Sequence, residues 1–236
     1  MGIFNVKAGQ GAASEVPPAG SHPAVLVCII DLGTHEEDFK QQDGTVKTAD
    51  MHKVFLGWEL TAEKCAGFNR NHIIGKDYNV SETLSPNSNL RKLIEGWRGK
   101  AMQNDEGIDL GKMLGAKCMV TITHKESGRG NTYAVMGAVA PPPKGLAVPA
   151  PGQTPFIWEI GSGPIPDHAW LPYVFLNRER VPIAKVIQAS AEWMKLNCYA
   201  PPKQPQHTKS NASDHTGHTA AQVAEADEGD ANEIPF

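Results

Sequence analysis

The chain has 236 residues, 40 % of them apolar, enough for one generous domain with a real core, which excludes a wholly disordered chain. Its 22 Lys+Arg against 26 Asp+Glu leave a net charge of −4. No apolar run approaches the roughly 20 residues of a membrane span, and the segment after Met1 lacks the basic start and apolar centre of a secretion signal, so a soluble cytoplasmic protein is expected.

Residues 1–20, rich in Gly and Ala and ending in PPAG, read as a flexible leader. The first strand candidate is Ala24 to Asp31, AVLVCIID, a continuous β-branched run suited to burial on both faces. The charged His35-Glu36-Glu37-Asp38 that follows reads as a solvated loop before the turn QQDG. Met51 to Leu60 alternates. Val54, Leu56, Trp58 and Leu60 share one face and Lys53, Phe55, Gly57 and Glu59 the other. A third strand is expected over Asn71 to Val80.

The period then changes. Leu90, Leu93, Ile94 and Trp97 recur at helical spacing, behind a start signal of Ser85 with Pro86 at the first helical position. Two further strands follow, Lys117 to His124 and Thr132 to Val139, joined by the hairpin-like KESGRGN. Three strands, a helix and two strands is the order of a five-stranded Greek-key barrel of the OB type, so the main domain is expected to be mainly β, over residues 21–140. A Pro-rich connection, 141–155, separates it from an α-containing appendage over 156–199, with a helix near Val181 to Leu196. The appendage is expected to pack on the barrel or to offer a small interaction surface. Residues 200–236 hold two basic and six acidic residues and no apolar periodicity before the last three positions, so a disordered acidic tail is expected.

No phosphate-binding loop, dinucleotide fingerprint, nucleophile elbow or zincin motif is present. Cys28, Cys65, Cys118 and Cys198 are scattered without zinc spacing, and they read as small buried hydrophobes. No catalytic residue, metal site or cofactor is therefore expected. A group of Glu63, Lys64, Lys76 and Asp77 keeps a metal-dependent nuclease open as an alternative, and an RNA-binding or structural adaptor is a second one.

What the centre does hold is cations interleaved with rings, the mixture that unpaired nucleic acid asks for: Lys and Arg follow the phosphates while exposed rings stack on bases. The candidates are Lys53, Phe55, Arg70, Lys76, Tyr78, Arg91, Lys92, Arg98, Lys100, Lys117, Lys125, Arg129 and Tyr133. Trp58 and Trp97 fall on apolar faces and read as core. Phe55 shares a face with Lys53 and is expected to be a stacking ring, whereas Tyr78, which shares one with Lys76, is either a stacking platform or a half-buried ring with its hydroxyl exposed. On the fourth strand Lys117, Met119, Thr121, Thr123 and Lys125 face away from Cys118, Val120 and Ile122. Arg129, between two glycines, is either a flexible cationic tip or a plain turn residue.

The tail ends in Glu225, Asp227, Glu228, Asp230 and Glu233, followed by Ile234-Pro235-Phe236. An apolar end on an acidic arm has no internal use and suits a partner with an apolar pocket and a basic rim. This ending resembles the C-terminal tip of bacterial single-stranded DNA-binding proteins. The stretches SNLRKLIEGWRGK (Ser88 to Lys100) and DLGKMLGAKCMVTITHKESGRGNTYA (Asp109 to Ala134) resemble a bacteriophage group of such proteins with an OB fold. The resemblance implies protection of single-stranded DNA during replication, recombination and repair, in a host cytoplasm, with Asp230, Glu233, Ile234, Pro235 and Phe236 docking partner proteins. Residues 156–199 have no counterpart in the bacterial proteins, so their tetramer is not carried over, and a monomer or dimer is expected instead.

Overall fold

The computed structural model describes residues 16–198 apart from 41–43, 66–68, 104, 128–129, 131, 169–172 and 177–178; of 40, 173–176, 179–180 and 198 it describes the backbone only. The acidic tail, with its candidate residues Asp230, Glu233, Ile234, Pro235 and Phe236, lies outside the described residues.

The described chain is mainly β. Five antiparallel strands, β1 (Gly20–Lys40), β2 (Val46–Cys65), β3 (Arg70–Val80), β4 (Lys117–Glu126) and β5 (Thr132–Ala140), form one sheet in the order β3-β2-β1-β4-β5. A short sixth strand, β6 (Phe156–Trp158), adds in parallel to β1 at Cys28–Ile30. The end strands β3 and β5 are not hydrogen-bonded to each other, so the sheet is not closed. β1 has room for three partners because it is 21 residues long. It pairs with β4 through Val25, takes β6 at Cys28–Ile30 after a first irregularity past Leu26, and turns at a second one past Asp31. At the second irregularity Gly33 has φ 75°, and a Cβ there would stand 2.6 Å from the Ser190 hydroxyl oxygen, so glycine is what lets the C-terminal segment approach.

The helix α1 (Asn89–Arg98) crosses one face of this sheet and buries Leu90, Leu93, Ile94 and Trp97. Its N-cap is Ser88, whose side chain accepts from the Arg91 N–H. Ser85 instead opens a turn, its carbonyl accepting from the Ser88 N–H at 2.9 Å. The start signal was thus one turn early, because Pro86 satisfies a tight turn as well as a first helical position. Gly99, in the left-handed conformation, ends the helix. The alternation read for β2 holds. Val54, Leu56, Trp58 and Leu60 join α1, Cys118, Val120 and Ile122 in the main core, where Trp58 and Trp97 lie 5.9 Å apart between ring centroids.

The acidic cluster is not a loop. His35, Glu36, Glu37 and Asp38 continue β1 as far as Lys40, opposite Val46–Met51 of β2. Cross-strand partners, including the Thr48 hydroxyl donating to Asp38 at 2.8 Å, hold a polar hairpin that alternation alone does not reveal.

The opposite face of β1 and β2 is also covered. Cys28, Ile30, Leu32 and Phe55 pack against Trp158 and against Ile183, Val186 and Ile187 of α2 (Ile183–Gln188) in a second core. Such side chains contribute about 1.5–3 kcal/mol each when fully buried. The Pro-rich connection closes the same face further along, with Val148 against Val25 and Val27. α3 (Ala191–Cys198) pins the end: Glu192 accepts from the Thr34 N–H at 2.8 Å and from its hydroxyl at 2.6 Å. β7 (Tyr173–Leu176) and β8 (Glu179–Pro182) form a separate two-stranded ribbon.

Candidate nucleic-acid interface

The second core decides which of the candidate side chains can reach a ligand. Phe55 has no exposed surface. Its ring fills the space over Gly57 and Gly75, so it has no face for a base, and the expected stacking ring is a packing residue. Lys53, beside it, is also buried, paired with Glu37 and with Asp77 at 3.2 Å. Burial opposes its charge, but these two carboxylates outweigh that and hold its pKa above the ordinary value. It neutralises its neighbours and is not available to phosphate.

Arg91 is structural as well. Its guanidinium donates to the Leu84 carbonyl at 3.2 Å, the Met102 carbonyl at 2.7 Å and Glu95 at 2.9 Å. It thereby ties the segments on both sides of α1 to the helix. The Arg91 hydrogen bond, with the Met102 N–H, holds Glu95 below the usual carboxylate range. Tyr78 is buried, and burial followed by the charge of Asp77 pushes its hydroxyl above its ordinary pKa; its ring lies under Lys76, whose Nζ is 5.7 Å from the ring centroid. Arg98 is exposed but donates to Glu106 at 2.6 Å. Arg70 is half-buried at the start of β3, opposite Cys65. Arg129 lies outside the described residues.

Lys76, Lys92, Lys100, Lys117, Lys125 and Tyr133 remain, and all six are exposed. Five of them are placed along β5 and its neighbours. On the outer face of β4, Lys117 and Lys125 stand at the two ends of a row through Thr121 and Thr123, about 26 Å apart at strand spacing. Lys125 lies directly opposite Tyr133 of β5, so a cation and a 40 % exposed ring share one spot. Further along β5, Gly137, Ala138 and Val139 form one wall of a groove of about 240 Å³, whose other walls carry Lys76 and Tyr78 of β3 and Asn89 and Lys92 of α1. Gly137 also lies beside Thr121 of β4, since a Cβ there would come within 3.3 Å of the Thr121 carbonyl oxygen. β5 thus carries the Lys125–Tyr133 pair near its start and one wall of a groove lined by Lys76 and Lys92 near its end. Asn89 and Gly137 were not singled out by the sequence, because neither carries charge or an aromatic ring and only the meeting of β3, α1 and β5 brings them in.

The carboxylates suggested for a nuclease centre are engaged apart from one another: Glu63 with His22 at 3.0 Å and Asp77 with Lys53. Among the described residues no group of three or more His, Cys, Asp or Glu side chains is arranged to hold a metal ion. No described helix is long and apolar enough to cross a membrane. Cys28 and Cys118 are buried free thiols, and burial pushes both up to about 12, which leaves them without reactive thiolate at neutral pH. No protein-family model matches the chain, and no curated protein matches it.

Proposed function

We propose that the chain binds single-stranded DNA without strong sequence preference and protects it during replication, recombination and repair, on an OB-type framework and without catalysing a reaction. The observation that carries the reading is the set of exposed side chains on β4–β5, Lys117, Lys125 and Tyr133, together with the groove lined by Lys76 and Lys92 against the end of β5. Cations at intervals with a ring between them suit a flexible polyanion with exposed bases. The connectivity also favours it: β1 pairs with both β2 and β4, and α1 falls between β3 and β4, as in an OB barrel. In this reading the acidic tail, with Asp230, Glu233, Ile234, Pro235 and Phe236, docks replication or recombination proteins and leaves these side chains and the groove to the nucleic acid.

The test is the fluorescence anisotropy of a labelled thymidine oligomer titrated with the protein across a salt series. Four lysines on four phosphates give a log–log salt slope of about −3, at about −0.7 for each contact to a single strand. Replacing Lys117 and Lys125 together by Ala lowers it by about 1.4, and Tyr133→Ala weakens binding by about 1–3 kcal/mol with the slope kept. No anisotropy change in dilute buffer overturns the proposal. Equal affinity for a uridine oligomer moves it to RNA, and magnesium-dependent cleavage of the probe moves it to a nuclease.

A further inference from the structure

The two edges of the sheet are built differently. β3, at one edge, carries Arg70, Lys76 and Asp77 along its length. β5, at the other, reads TYAVMGAVA over nine residues, without a charge or a proline. Among the described strands of more than four residues it alone has no charged side chain. Charges, prolines, short lengths, bulges and covering elements keep an edge strand from pairing with another chain; β5 has no charge or proline, and its one irregularity against β4 lies beyond Met136.

Part of this edge is open. The far end of β5 is occupied by α1, where a Cβ at Gly96 would stand 3.0 Å from the Val139 carbonyl oxygen. The near end is different. β1 and β4 pair only from Gly20–Ile122 to Val25–Lys117, so Thr123–Glu126 with Thr132–Val135 extends as a two-stranded arm beyond that pairing. Along it Thr132 and Tyr133 are exposed, and Ala134, Val135 and Met136 are half-buried. Ala134 and Met136 lean on the main core, which leaves Tyr133 and Val135 on the outer face.

We infer that the protein self-associates through this edge, two copies pairing their Thr132–Met136 segments antiparallel about a two-fold axis at Ala134. The segment is complementary to itself in that register. Tyr133 of each copy falls opposite Val135 of the other, an aromatic against a β-branched side chain, which is a favoured cross-strand pair. Ala134 meets its own mate, and small side chains there let the backbones approach. The assembly stops at two copies: a two-fold contact is closed, and among the described strands the opposite edge of the sheet, β3, is guarded by charge. The inference needs no nucleic acid and stands independently of the proposed function.

Sedimentation equilibrium of the full chain without nucleic acid, from low to high micromolar concentration, is expected to carry the mass from 25.4 kDa to twice that value. Amide exchange followed over the same range is expected to slow at Thr132–Met136 as the dimer fills, with no such change along β3. Val135→Lys removes the β-branched partner of Tyr133 on both sides of the two-fold axis and brings to the edge the lysine that keeps strands from pairing, and it is expected to weaken association by about tenfold or more while the far-ultraviolet dichroism of the monomer is retained. Three outcomes overturn the inference: a mass that stays monomeric throughout, a dimer whose β5 exchange does not depend on concentration, or a Val135→Lys chain that dimerises as tightly as the parent. Should that variant fail to fold, the exchange data on the unmodified chain decide.

Discussion

Glu59 is fully buried and serves as the anchor between the sheet and the Pro-rich connection. One carboxylate oxygen accepts from Asn71 Nδ2 at 2.5 Å and from the Gly152 N–H at 2.6 Å, and the other accepts from the Gln153 N–H at 2.9 Å. Consider Glu59→Gln, which keeps the volume. If the amide oxygen takes the place of the doubly bonded oxygen, the NH₂ group faces the Gln153 N–H, so one bond is lost and two donors oppose each other inside the protein. An unsatisfied buried donor costs about 1–3 kcal/mol, and the two surviving bonds lose the strength that a charged acceptor gives them. The expected loss is about 3 kcal/mol, which lowers the unfolding midpoint by about 6–12 °C in a chain of this size. Differential scanning calorimetry measures it. Limited proteolysis provides the local readout, since cleavage is expected to rise first within residues 141–155. A midpoint within a degree or two of the parent, with the connection no more sensitive than before, would refute the view that this carboxylate fastens the segment.

Three other expectations follow from packing and charge. Gly75→Ala places a Cβ 2.6 Å from the Leu56 carbonyl oxygen and against the Phe55 ring, so overpacking of about 1–3 kcal/mol is expected in chemical denaturation. Lys53→Met leaves Glu37 and Asp77 facing each other without their cation; stability falls, but the affinity for a thymidine oligomer and its salt slope stay as they were, and a change in slope would return Lys53 to the interface. Burial works against the charge on Glu192, yet hydrogen bonds from the Thr34 hydroxyl and N–H, with His52 alongside, hold its pKa at about 2 against an ordinary 4.5. A depressed carboxylate contributes stability above its unfolded pKa and loses it as pH falls, here between 4.5 and about 2. Its side chain is 38 % exposed, so solvent keeps the gain small. The melting midpoints of the parent and of Glu192→Gln should nevertheless converge as pH drops through that window.

Much of the sheet was legible where a strand shows one consistently apolar side. The inward set of β2, the inward set of β4 and the stripe of α1 follow from spacing alone, since period 2 and period 3.6 fix which side chains share a face. What spacing does not say is what lies over the other face. Lys53 and Phe55 alternate with a buried row and so read as outward; they do point away from the main core, but Phe55 enters a second core supplied from more than a hundred residues downstream, and Lys53 is closed in by Glu37 and Asp77. The AVLVCIID run already carried the signal, because a strand apolar on both sides needs two covers. The same limit applies to Arg91, which leaves the apolar stripe early in the helix and looks like a solvated charge. Its buried role depends on the carbonyls of Leu84 and Met102, which converge only through tertiary contact. On β4 the outward ends of the row, Lys117 and Lys125, are exposed, and there the reading from alternation agrees with the structure.

The double cover on β1 has a bearing on how the chain is made. Ile30 and Leu32 leave the ribosome more than a hundred residues ahead of Trp158, Ile183, Val186 and Ile187, which shield them. Contacts so distant in sequence form slowly, and until they form the nascent sheet presents a greasy flank. The early polypeptide thus has a prolonged window in which it depends on cellular folding helpers, and a fragment cut at the Pro-rich connection would keep that dependence permanently.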